Sequence, residues 1–328
     1  MRTPRIRALA GRFTAELGIG AAFVLEFLLF SFLSPYFFSP DNLLNVSLQA
    51  SITAIIAAGM TFVILTGGID LSVGSLVAFA GIAVTTVLKS GLPWHTAMPL
   101  GIAAGLLVGA ASGAFAGLCI TRFSVTPFIV TLATMTIWRG IAFVWTDGRP
   151  IWELPDAFAF LGNGRLFGVP VPSLIMVLTF VVLHVILTRT RFGRHVYAVG
   201  GNIEAARLAG IRTGRVLTSV YIISGVLASV SGMLLASRMN SGQPNAGLSY
   251  ELDVIAAVVV GGTSLSGGKG SVVGTFIGAM LIAVLRNGLN LLNVGSYVQQ
   301  VVVGGVILLA VLVDRLRRPH TLFEGTSL

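Results

Sequence analysis

Charge is what this sequence has least of. Only 10% of its 328 residues are Asp, Glu, Lys or Arg, 55% are hydrophobic, and the mean hydropathy is +0.92. A soluble domain carries about 25% charged residues, so there is too little charge here to cover a globular surface. Cysteine is nearly absent too. Cys119 stands alone in an apolar run, which excludes an intramolecular disulfide and a cysteine-built metal site. His95, His184, His195 and His320 are scattered, with no pair at metal-ligand spacing, so no metal site is assigned. Catalytic patterns are missing as well: there is no H-E-x-x-H, no G-x-S-x-G and no carboxylate pair in a polar setting. Gly268-Lys269 approaches a phosphate-binding loop, but Gly270 stands where the Mg²⁺-holding Ser or Thr belongs, and Thr263 replaces the first glycine. No catalytic residue and no cofactor is therefore assigned to this chain.

What is present is a series of continuous apolar runs. They predict an all-α, polytopic transmembrane helical bundle forming a single domain over 1–328. A β-barrel is excluded, because its strands alternate apolar and polar. The runs fall at about 16–34, 46–66, 71–88, 97–119, 126–145, 171–187, 216–236, 252–262, 271–287 and 297–313, giving about ten spans. The N-terminal MRTPRIRALAGRF resembles the start of a signal peptide. No small-x-small site follows its apolar run, so it reads as a retained first helix with its N-terminus in the cytoplasm. Ten spans put both termini on that side. Fifteen basic residues then lie in cytoplasmic segments and four (Lys89, Arg149, Arg165, Arg238) on the other side, as the positive-inside rule requires. The net charge of +9 is read as this bias and not as a nucleic-acid surface.

Glycine is abundant, with 40 in the chain. Gly101, Gly105, Gly109, Gly113 and Gly117 recur every fourth residue, and Gly270, Gly274 and Gly278 repeat the device, so close helix packing is expected. GGIDLSVGS (67–75) and GGTSLSGGKGS (261–271) echo one another after similar apolar flanks, which suggests an internal repeat. Broken Gly-rich backbone at membrane depth is tolerated only where protein buries it or a watery cavity passes it. Gly67, Gly68, Asp70, Ser72, Gly261, Gly262, Ser264 and Ser266 are therefore candidates for a translocation path. Asp70 can instead cap the following helix, the more ordinary role. Glu26 is the one acid clearly inside a span, and the scarcity of such acids argues against a proton- or sodium-coupled transporter.

The longest polar interruption runs from Thr188 to Arg215. Its six arginines read as topology markers. Inside them, Gly200-Gly201-Asn202 breaks the chain, Asn202 stands as an N-cap, and Ala205, Ala206, Leu208 and Ala209 form a short helix that stops at Gly210. From these residues alone, a docking helix and an ordinary surface loop are equally open.

RFGRHVYAVGGNIEAARLAGI resembles the coupling segment of sugar-importing ABC permeases, the branch that includes the ribose, xylose and arabinose permeases. ILTGGIDLSVGS (64–75), ATMTIWRGIAFVWTDGRPI (133–151), GQPNAGLSYELDVIAAVVVGGTSLSGGKGSVVGTFIGA (242–279) and NGLNLLNVGSYVQQVVVGGVILLAVLVD (287–314) resemble further blocks of that family. The likeness covers about 30–315 and is nearest to the ribose permeases. The blocks are shared across the branch, so they leave the sugar open.

The resemblance implies an inner-membrane permease that works as a pair, most simply a homodimer within the lipid. It implies a cytoplasmic tandem ATPase that holds ATP and Mg²⁺, and a periplasmic sugar-binding protein. Carried over by position, Arg194, Gly201, Asn202, Glu204, Ala205, Ala206, Leu208 and Gly210 would meet the ATPase. The two Gly-rich breaks would flank the path near its cytoplasmic end. The outer loop 147–170, with Trp152, Pro155 and Asp156, would face the binding protein. The competing expectations are an ion-coupled secondary transporter acting alone and a membrane scaffold without transport.

Overall fold

The computed structural model describes residues 4–316, with side chains over 18–306 and at 308, 309 and 312. The N-terminal arginines and those of the C-terminal tail, and with them the side on which the termini lie, fall outside these described side chains. Each of the ten apolar runs is a helix. The first five are α1 (Pro4–Leu33), α2 (Pro40–Leu65), α3 (Val73–Leu88), α4 (Trp94–Arg122) and α5 (Pro127–Thr146). Then come β1 (Ile151–Trp152), α6 (Asp156–Asn163), β2 (Arg165–Leu166), β3 (Val169–Pro170) and α7 (Val171–Arg189). The polar interruption holds α8 (Arg191–Gly201) and α9 (Ile203–Leu208). The chain ends with α10 (Thr213–Met239), β4 (Ser241–Gly242), α11 (Tyr250–Val260), α12 (Val272–Leu291) and α13 (Ser296–Leu316).

Among the described residues, α2, α4, α5, α7, α10 and α12 are long and apolar enough to cross a membrane, while 18–33 and α3 are shorter apolar stretches. The eighth run, predicted over about 252–262, is as short in the structure as in the sequence. α11 has 11 residues, about 16 Å at 1.5 Å per residue, against about 30 Å of hydrocarbon. Its apolar run is cut by the polar segment before it and the glycine pair after it, so α11 cannot cross alone.

α2 is the central post. Ser39 caps it by accepting the Asn42 N–H, and Pro40 occupies the first turn, where no N–H is required. From Ala54 to Leu65 every side chain is buried, enclosed by α10, α12, α11 and α7. Lipid supplies no hydrophobic drive for helix association, so close packing and polar ties carry it. Thr61 bonds Thr275 at 2.8 Å between α2 and α12, and Asn42 and Asn287 exchange amide bonds at 2.9 and 3.0 Å.

The glycine ladder of α4 acts as the spacing predicts. Gly109 and Gly113 press on the backbones of Gly225 and Tyr221 in α10, and Gly117 on Thr218. Any Cβ on those three would overlap α10, so the ladder is static packing. At the opposite end of the bundle from α8 and α9, β1 pairs antiparallel with β4 (Ile151 opposite Gly242, Trp152 opposite Ser241). The predicted outer loop is thus an ordered cap. Phe158 anchors α6 in it, while Trp152 and Asp156 are exposed.

Candidate coupling and path site

The two Gly-rich breaks close their helices with the same device. After α2, Gly67 takes φ +80°, its N–H donates to Ile64 O, and the Gly68 N–H donates to Val63 O. After α11, Gly262 takes φ +83°, its N–H donates to Val259 O, and the Thr263 N–H donates to Val258 O. Both are αL helix stops that satisfy otherwise orphaned carbonyls. The sequence echo aligns Gly67 with Gly261, yet the αL residue of the second break is Gly262. The devices match one residue out of step with the letters.

Beyond the stops the breaks differ. In the first, Asp70 is fully enclosed. One carboxylate oxygen accepts the Ser72 N–H (3.0 Å) and hydroxyl (2.6 Å), and the other accepts the Ser224 hydroxyl of α10 (2.9 Å). Asp70 therefore closes a turn on Ser72, the N-cap of α3, and ties that turn to α10. It does not line open space. Ser72 and Gly68 are buried beside it, and a Cβ on Gly68 would meet the Tyr221 hydroxyl. The second break is more open. Gly262, Leu265, Ser266 and Lys269 are exposed, whereas Gly261 and Ser264 are buried. Ser271 ends it as the N-cap of α12, accepting the Gly274 N–H at 2.9 Å.

The second break is bound to the polar interruption and to the end of α2. The Gly268 N–H donates to the Leu65 carbonyl at 2.8 Å. Tyr197 of α8 donates its hydroxyl to the Gly270 carbonyl at 2.8 Å. Gly200 lies so close that a Cβ there would run into the Leu65 carbonyl and sit 2.7 Å from the Gly268 nitrogen. A Cβ on Gly267 would sit 2.9 Å from the Gly200 carbonyl. Three chain segments thus meet backbone to backbone, which only glycine permits. Phe192 of α8 stacks on Phe62 of α2 beside this junction.

α9 is built as its sequence predicts. Asn202 accepts the Ala205 N–H at 2.9 Å as N-cap, and Gly210 (φ +81°) ends the helix, with the Ile211 N–H bonded to Ala206 O. Ala206 points inward, 4% exposed, and joins the core, so it seats the helix on its own chain. Arg194, Gly201, Asn202, Glu204, Ala205, Leu208 and Gly210 are on the surface. Leu208, 89% exposed, and Ile203, 39% exposed, form an apolar tip that no described residue covers. Glu204 pairs with Arg207 at 3.3 Å, an exposed contact of about 0–1 kcal/mol. A hollow of about 470 Å³ opens beside α9, lined in part by Phe192, His195, Gly210, Arg212 and Arg215.

The sequence reading did not assign Leu65, Tyr197, Gly200, Gly267, Gly268 or Gly270 to any joint. Their roles depend on contacts between positions more than 60 residues apart, which no local pattern signals. Among the described residues, no group of three His, Cys, Asp or Glu side chains could hold a metal.

Comparison with known proteins places the chain among transport permeases. A family model described as branched-chain amino acid transport system / permease component matches residues 42–311. The ribose import permease protein of Bacillus subtilis (strain 168) is 50% identical over 302 residues, 92% of this chain and 92% of that protein. The ribose import permease protein of Haemophilus influenzae is 47% identical, over 93% of this chain and 94% of that protein. The L-arabinose ABC transporter permease protein of Azospirillum brasilense is 38% identical, over 92% and 88%. No solved structure matches.

Proposed function

Since the chain belongs to the family of transport-system permease components just described, we propose that it is the membrane subunit of an ATP-driven, binding-protein-dependent importer of ribose or a related monosaccharide. The family description mentions branched-chain amino acids, but relatives at 47–50% identity carry ribose in their names, and the sugar reading follows the nearer likeness. The subunit is a permease and not an enzyme. ATP and Mg²⁺ belong to a cytoplasmic tandem ATPase.

The observation that carries the mechanism is the glycine junction. α9 is an exposed, capped helix with an apolar tip, suited to a groove on the ATPase. α8 and α9 share Asn202 as their boundary, and α8 is bonded through Tyr197 to the second break. A push on α9 therefore reaches Gly261–Ser271, which borders the path. In this reading the chain makes ten crossings, with α3 and α11 as short elements joined to α2 and α12 by the breaks as a degenerate repeat. It pairs with a second copy in the inner membrane, both termini cytoplasmic, and offers the 147–170 cap to the binding protein.

The test is reconstitution in proteoliposomes with the ATPase and binding protein. ATP-dependent uptake of ribose or a close relative is expected, and it should be abolished by Ala205→Glu together with Leu208→Glu. Ala206 is unsuited to this test because it is buried. Uptake driven by a proton gradient without the ATPase would overturn the reading.

A further inference from the structure

The connection between α10 and α11 does not stay at the membrane surface. After β4, Gln243 to Ser249 turn back into the bundle. Gly247 packs on the Gly74 carbonyl and on Val77 of α3, the residue on which Gly232 of α10 also packs. Gly232 is seven residues before the end of α10, and Val77 eleven before the end of α3. At 1.5 Å per residue these place Gly247 about 10–16 Å inside those ends, about half of a 30 Å hydrocarbon layer.

Arg139 gives an independent depth. It sits seven residues before the end of α5, about 10 Å in. Its guanidinium donates to the Pro244 and Ala246 carbonyls, both at 2.7 Å, and so brackets Asn245. α11 begins at this depth, which is why it needs only 11 residues to reach the second break.

Non-helical backbone exposed to lipid at such depth is not viable, because its polar groups find no partners there. The inner side of this segment is covered: Pro244 and Gly247 are buried. The other side carries Asn245, Leu248 and Ser249, all exposed. The side chains of Asn245 and Ser249 take no hydrogen bond among the described residues, and the Arg139 charge is turned toward carbonyls of the segment itself. Beside the apolar Leu248, this open face carries a neutral amide and a hydroxyl, donors and acceptors without net charge. That chemistry suits a polyhydroxylated neutral solute.

We infer that the re-entrant segment Gln243–Ser249 is a wall of the translocation path at mid-membrane, with Asn245 and Ser249 as direct contacts for sugar hydroxyls and Arg139 as the positioning residue that holds the segment in place. This rests on the sugar-importer reading and adds to the two Gly-rich breaks a solute-contacting surface that packs on the first turns of α3.

The test uses the full permease in membranes with its partner ATPase, in a Cys119→Ser background. Single variants Asn245→Cys, Ser249→Cys and the control Val144→Cys, which is 85% exposed on α5, are treated with a charged, membrane-impermeant methanethiosulfonate. Positions 245 and 249 are expected to react at least tenfold faster than 144, and the modification to block D-ribose uptake. Asn245→Ala with Ser249→Ala is expected to lower uptake per ATP hydrolysed about tenfold, the equivalent of one lost hydrogen bond, with binding-protein-stimulated hydrolysis retained. Thiols at 245 and 249 that react no faster than 144 overturn the inference even where ATP-driven uptake stands. So does unchanged uptake in the double alanine variant. Reactive thiols in a chain that takes up no sugar would instead overturn the functional reading and leave the water-lined wall in place.

Discussion

The two helix breaks look alike in sequence and stop their helices alike, yet they are attached to different things. The first is locked by Asp70, whose carboxylate takes three bonds from Ser72 and Ser224 and ties the entry of α3 to α10. Among the described residues the second break, 261–271, carries no acidic side chain; its backbone meets Leu65 and Gly200, and Tyr197 bonds the Gly270 carbonyl. A buried carboxyl group with three donors is rigid, because moving it leaves polar groups unpaired in low dielectric. The second break instead joins the end of α2, through the Gly268–Leu65 bond, to α8, through Tyr197 and Gly200. The first break is therefore the anchor of the bundle and the second its relay.

Substitutions can break that distinction. The largest effect is expected at Gly200. Gly200→Ala drives a Cβ into the Leu65 carbonyl, a steric fault costing about 3 kcal/mol or more, and should remove ATP-driven uptake. Asp70→Ala comes next. It strips the acceptor from Ser72 and Ser224, and buried polar groups left unpaired cost about 1–3 kcal/mol each, so the Tm in detergent should fall clearly while the molecules that remain folded still couple. Tyr197→Phe removes one neutral bond worth about 1 kcal/mol. It should leave the Tm nearly unchanged and lower the sugar moved per ATP hydrolysed. If Asp70→Ala uncoupled transport without loss of stability, or Tyr197→Phe only lowered the Tm, anchor and relay would have to be exchanged.

The sequence revealed whatever depends on neighbours within a few residues. The Asn202 cap, the Gly210 stop and the four-residue ladder of α4 are local periodicities, and all three are present as expected. Asp70 was expected to cap α3 or line the path; its carboxylate instead bonds Ser72, itself the N-cap, two residues on. The shortness of α11 was visible in its run at 252–262, but the re-entrant 243–249 segment was not. A polar stretch between two apolar runs reads as a surface loop, and only the packing of Gly247 on Gly74 and Val77 places it within the bundle. Ala206 was readable as part of a small-residue helix, but its inward direction was set by the core beneath α9. The apolar tip instead falls on Leu208 and Ile203.

The central claim is that α9 and the second break move as one body relative to the anchored helices. Double electron–electron resonance on the reconstituted complex tests it directly, with spin labels at Ala205, at the exposed Leu265 and at Phe123 beyond the end of α4, and labelled permease diluted among unlabelled copies. The account predicts that the 205–265 distance stays the same when ATP binds while the 205–123 distance changes. A 205–265 distance that changes as much as 205–123 would contradict it.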